Sequence, residues 1–231
     1  MPKIKTYPAE SSDIKHYISA LEHKNDHHLH AAFHFQTQID VQCLREAVIL
    51  LGGRLPELFT YLKASKSGFV WQESTYAPED LVFLEEHAKN PEASLNRALT
   101  QMLDGENGPQ IRLTVIRADE GDFLSVVLNH MLADGAGFKE LLYLLAELYS
   151  NIKQNQAHLP QLKPGSRSLR RIFENMDTSG WKAAPPLQEP HQNLPLPLTG
   201  NTENPRILRV KINRAEFLAL KEDTKKTRCH D

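Results

Sequence analysis

The stretch "IRLTVIRADEGDFLSVVLNHMLADGAGFKELLYLL", Ile111 to Leu145, decides the fold. Its first part holds two apolar, β-branched runs separated by the polar, Gly-containing segment Ala118–Asp122. That pattern predicts a β-hairpin. Its last part places Phe138, Leu141, Leu142 and Leu145 at helical spacing, continued by Leu148 and Tyr149. An amphipathic helix must therefore pack on the hairpin. At the joint between strand and helix stands "NHMLADG", with His130, Asp134 and Gly135.

A histidine at the C-terminal end of a strand faces the space where α/β proteins form their sites. Its ordinary pKa of about 6.5 lets it take and return a proton near neutrality. Gly135 permits close backbone approach. Asp134 offers ionic or hydrogen-bonding orientation. The helix start leaves backbone N–H groups that favour negative charge. A blander reading competes on spacing alone. A lone histidine after an apolar strand also serves as a cap or core residue, and His-x-x-x-Asp-Gly arises by chance in roughly a few per cent of chains this long.

Upstream of this stretch, Ser11 and Ser12 precede Ile14, Tyr17, Ile18 and Leu21, which predicts a capped helix. "LHAAFHFQT" alternates Leu29, Ala31, Phe33 and Phe35 with His30, Ala32 and His34, as a strand does. Asp40 is placed to cap a helix through Leu44, Ala47, Val48 and Leu51, with Gly52 and Gly53 as its stop. "GFVWQES" reads as a short strand and residues 91–104 as a helix with Leu95, Ala98, Leu99 and Met102 on one stripe.

Residues 1–155 therefore form one α/β unit. From 156 to 205 the chain is Pro-rich and poor in apolar runs, a linker or crossing loop. "RILRVKI" then reads as a strand and Ala215 to Lys221 as a short helix, within a stretch 206–231.

Composition narrows the function. With 231 residues and 40 % apolar side chains, a sizeable core can form. A net charge of -2 provides no global field for nucleic acid. No apolar run spans a membrane and no signal peptide is evident. Cys43 and Cys229, far apart, suit a reducing compartment, so the expected location is the cytoplasm. His28, His30 and His34 share a strand face and could ligate zinc, but no cysteine or carboxylate cluster joins them. A solvated face is the expectation, with no metal site. Gly-x-Ser-x-Gly and phosphate-binding glycine loops are absent from the sequence.

The region from Pro109 to Leu145 resembles the signature of the CoA-dependent acyltransferase superfamily, which includes chloramphenicol acetyltransferase, condensation domains, alcohol acetyltransferases and wax-ester synthases. Its motif is His-His-x-x-x-Asp-Gly after a hairpin and before an amphipathic helix. "LREAVILLGGRLPELFTYL" is similar to the segment found upstream in condensation-like members. The resemblance implies an α/β (α+β) two-layer sandwich, a mixed sheet with helices packed on one face. It implies that His130 is the general base that deprotonates an acceptor alcohol or amine as it attacks an acyl thioester. Asp134 matches the structural aspartate, turned from the base and paired with an arginine. Gly135 matches the glycine that leaves room for substrate and pantetheine.

This sequence departs from the pattern. Asn129 replaces the first histidine, and Leu55 and Phe59 replace the upstream histidine and second arginine. Arg54 and Arg112 are then the candidate partners of Asp134. The resemblance further implies no tightly bound cofactor, with CoA or phosphopantetheine thioester as co-substrate. The implied partners are a small-molecule donor and acceptor, an acyl carrier protein, and a missing second lobe or further copies of the chain. Two-lobed members are about twice this length, so the chain reads as a two-lobed protein cut short, with 206–231 the start of an incomplete second lobe. The alternative is a non-catalytic lobe that binds a partner.

Overall fold

The computed structural model describes residues 4–23, 27–66, 68–156, 160, 173–174, 176–177, 179–182, 207 and 210–226. Thirteen of these residues, Arg214–Lys226, form the helix α6, whose described side chains are all exposed. The hairpin of the deciding stretch is β6 (Ile111–Ala118) and β7 (Gly121–Asn129), antiparallel, with Ala118 opposite Gly121. Gly121 has φ +116°, and a Cβ there would lie 2.1 Å from the Phe35 carbonyl oxygen. Only glycine turns the chain this close to its neighbour.

β7 is central. On its other side runs β2 (His28–Phe35), antiparallel, with His28 opposite Asn129 and Phe35 opposite Asp122. β5 (Val82–Glu85), which follows the short helix α3 (Pro78–Leu81), pairs with β6 in parallel, so the main sheet is mixed, in the order β2-β7-β6-β5. A smaller antiparallel sheet holds β1 (Thr6–Pro8), β4 (Gly68–Glu73) and β3 (Thr60–Ser65), in that order.

Period-2 burial explains the layers. Leu113, Val115, Leu124, Val126 and Leu128 face one side of the main sheet. There they meet α2 (Val41–Arg54) through Leu44, Ala47, Val48 and Leu51. They also meet α5 (Gly135–Lys153) through Phe138, Leu141, Leu145 and Leu148. Ile116 and Phe123 point the other way, onto Leu95, Ala98 and Leu99 of α4 (Pro91–Thr100). The fold class is α/β, as expected. Helices, however, lie on both faces of the sheet, because α4 covers the side opposite α2 and α5.

Asp40 caps α2 by accepting from Cys43 N at 3.1 Å, and its own N–H donates to Tyr149 Oη at 3.0 Å, tying the two helices together. The helix does not stop at its glycines. Gly52 and Gly53 lie in its last turn, because the Phe59 ring occupies the space a Gly52 side chain would need, at 2.2 Å. α4 ends at Thr100, and Met102 is 47 % exposed beyond it rather than on the stripe. Within "RILRVKI", the described residues Ile207, Val210, Lys211 and Ile212 are not in a strand. Ile207 instead packs on the α4 cluster and donates to Asn96 Oδ1 at 3.1 Å. The Pro-rich segment 156–205 lies mostly outside the described residues. Among the described residues, no helix is long and apolar enough to cross a membrane.

α1 (Ser11–His23) is fastened to the small sheet by a buried carboxylate. Asp13, 2 % exposed, accepts from Trp71 Nε1 at 2.9 Å and from Glu10 N at 3.0 Å. Tyr17, one turn on, meets the Phe69 ring at 5.4 Å and donates its hydroxyl to Glu106. That hydrogen bond, then burial, raises the Tyr17 pKa to about 12.

Candidate active site

His130 is the first residue after β7 and is partly exposed, in a turn that ends where α5 begins. Both its neighbours are immobilised. Asn129, buried, donates from Nδ2 to Gln110 Oε1 at 2.9 Å and accepts at Oδ1 from Met131 N at 3.1 Å. Met131 is buried with Leu62 and Trp71, against Ile14 and Tyr17 of α1. The His130 backbone is therefore held between the main sheet and the small sheet.

One ring face of His130 is covered. The His16 ring of α1 lies against it, with centroids 4.3 Å apart and planes 25° from parallel. His27 approaches His16 at 5.6 Å, tilted. Burial first, then the charges of His130, His27 and Lys15, push the His16 pKa below the ordinary 6.5; Asp13 acts in the opposite sense. The neutral form of His16 is thereby favoured.

Asp134 is the N-cap of α5. Its Oδ1 accepts from Gly137 N at 2.8 Å, and its carbonyl accepts from Phe138 N at 2.8 Å. None of the ion pairs among the described residues involves Asp134. Arg54 lies exposed in the last turn of α2. Arg112 donates to the Gln101 carbonyl, and burial lowers its pKa. The arginine partner expected for Asp134 is thus supplied by neither; a helix cap takes its place. A Cβ added at Gly135 would meet nothing within 4 Å, so the space beside the motif is open.

The histidines of β2 do not gather into a metal centre. His28 Nε2 accepts from Leu103 N at 3.2 Å, and its ring is 6.3 Å from that of His30. His34 stacks on Phe123 at 4.3 Å. Among the described residues no group of three or more His, Cys, Asp or Glu side chains could hold a metal ion. A separate apolar groove of about 630 Å³ runs between β2 and α5, lined by Phe33, Phe35, Val126, Tyr143, Tyr149 and Lys153 among others. His130 does not line it.

Two residues of the site carry no local signal in the sequence. Gln110 looks like a loop residue before a strand, yet it is fully buried. His16 reads as an ordinary helix residue. Only the fold brings it to His130.

A mixed-sheet α/β domain with a histidine at the joint of its central strand and a capped helix is the class these features define. The condensation-domain family model matches residues 14–167, and the chain belongs to that family. It is similar to a component of the mycosubtilin synthase of Bacillus subtilis, 23 % identical over 208 residues, or 82 % of this chain and 8 % of that protein. The starter condensation domain of rhizomide synthetase RzmA shares the fold at a TM-score of 0.59 and 15 % identity, over 74 % of this chain and 42 % of that one. The epimerization domain from the third module of tyrocidine synthetase B does so at 0.58 and 16 %, over 71 % and 39 %. The chain therefore spans about two fifths of these solved domains, and a far smaller part of the synthase.

Proposed function

We propose that this chain provides the histidine-bearing part of an acyl-transfer site, with His130 as general base. The donor is an acyl thioester on the phosphopantetheine of a carrier protein, or on CoA, used as a co-substrate. The acceptor is an amine or an alcohol. In the step proposed, the acceptor nitrogen or oxygen attacks the thioester carbonyl while His130 takes its proton. The C–S bond then breaks, and the leaving thiolate receives the proton from the imidazolium. The single observation behind this reading is the position of His130, partly exposed at the end of β7 and held on both sides by Asn129 and Met131. A reducing compartment, the cytoplasm, suits the free thiol of Cys43.

The test is transfer from an acyl-pantetheine thioester to an amine, followed by mass spectrometry of the amide. His130→Ala should lower turnover roughly 10²–10⁴-fold with the fold intact. Unchanged turnover in a folded variant defeats the assignment.

One observation favours a second reading, a binding lobe that turns nothing over. Asp134 has no ion pair among the described residues, whereas the superfamily resemblance implies one with arginine. Binding of a loaded carrier protein without thiol release would select it.

A further inference from the structure

We propose that His16 is a positioning residue for His130: its ring, laid flat against the His130 ring, sets the direction in which the base meets an acceptor. The inference rests on the reading of His130 as the base and names a residue from a distant part of the chain that serves it.

Three observations carry it. The first is the contact itself, centroids 4.3 Å apart and 25° from parallel. An imidazole at the start of a turn has two side-chain torsions free to rotate, and a flat neighbour on one face removes most of that freedom. Proton transfer needs a heavy-atom distance of about 2.6–3.2 Å and a lone pair aimed at the proton, so ring orientation matters directly.

The second is that the neighbour is itself rigid. His16 lies one turn after Asp13 on α1, and Asp13 is bolted to Trp71 and to the start of its own helix. Tyr17, next to His16, is held by Phe69 and Glu106. Trp71 also packs with Met131, the residue after His130. Both rings therefore hang from one small cluster.

The third is charge. The titratable and charged groups acting on His16 are His130 from the β7–α5 turn, His27 ahead of β2, and Lys15 and Asp13 on its own helix. Two imidazolium rings this close repel. Burial and its neighbours favour the neutral form of His16 and lower its basicity, so it adds little positive charge beside His130.

The experiment compares His16→Ala, His16→Phe and His130→Ala in the full chain. In His16→Ala the ring-current contribution to the His130 Cε1–H proton resonance should vanish, kcat should fall roughly ten- to a hundredfold and KM should hold. His16→Phe keeps a flat ring and should restore the resonance position and most of kcat. A purely structural role would not move kcat and the His130 resonance together while KM holds. A His130 resonance unmoved in His16→Ala overturns the proposal without any assay. So does equal loss of kcat in His16→Ala and His16→Phe, which would make His16 a proton carrier. If His130→Ala turns over like the native chain, the base reading falls and the positioning role with it. If His130→Ala is inactive and His16→Ala is not, only the positioning role falls.

Discussion

Asn129 and Gln110 hold each other across the end of the main sheet. The Asn129 Nδ2 donates to Gln110 Oε1 at 2.9 Å, and the Asn129 backbone N–H donates to the Gln110 carbonyl at the same distance. Gln110 in turn donates from Nε2 to the Thr60 carbonyl at 2.9 Å and the Gly108 carbonyl at 2.8 Å. One amide thus fastens β7 to β3 and to the loop between α4 and β6.

Removing either partner strands buried polar groups. Gln110→Ala and Asn129→Ala should each destabilise the fold by about 1–3 kcal/mol, Gln110→Ala the more because it orphans two carbonyls and the Asn129 amide. Urea denaturation with an unchanged slope measures this. Native midpoints in both variants would mean the network contributes little.

The aspartate and the glycine of the motif should separate in a stability assay. Asp134→Ala removes the α5 cap and should cost about 0.5–2 kcal/mol; Asp134→Ser, which also caps, should recover most of it. If the role were ionic, serine would not help. Gly135→Ala should fold as the native chain does, since a Cβ there meets open space. A folded Gly135→Ala with impaired turnover would then report on the space left for the pantetheine arm.

The pH dependence has a definite sign. His16 is held below the ordinary 6.5 by burial, then by His130, His27 and Lys15. As pH falls through about 6.5 the unfolded chain binds a proton there that the folded chain refuses, so stability is full above that value and declines below it. Denaturation midpoints at about pH 7.5 and about pH 5.5 should differ more in the native chain than in His16→Phe. An equal difference in both would show that His16 does not contribute.

Strong periodicity made some of this readable beforehand. The β6–β7 hairpin, α5, the Asp40-capped α2 and β2 are written in runs of apolar spacing, and His130 stands at the joint they define. β5 was not readable. Four residues long, it is a strand only because β6 lies beside it in parallel, a pairing with no local signature. The double glycine of α2 misled because a helix stop and a close ring contact use the same residue for different reasons. His16 and Gln110 escaped for a related cause. Their roles depend on partners distant in the chain, and neither spacing nor composition records that.

The register that seats His28 opposite Asn129 joins residues roughly a hundred positions apart, and such pairings form slowly because loop closure precedes any reward. The hairpin of β6 and β7, by contrast, closes over a two-residue turn. During synthesis, β2 and α1 leave the ribosome long before the strand that will receive them. The surfaces that meet at His130 must wait, and the apolar side chains of β2, Phe33 and Phe35, are open to wrong partners meanwhile. The surroundings of His130 therefore form later than the hairpin closes, because β2 and β7 must first find each other across that separation.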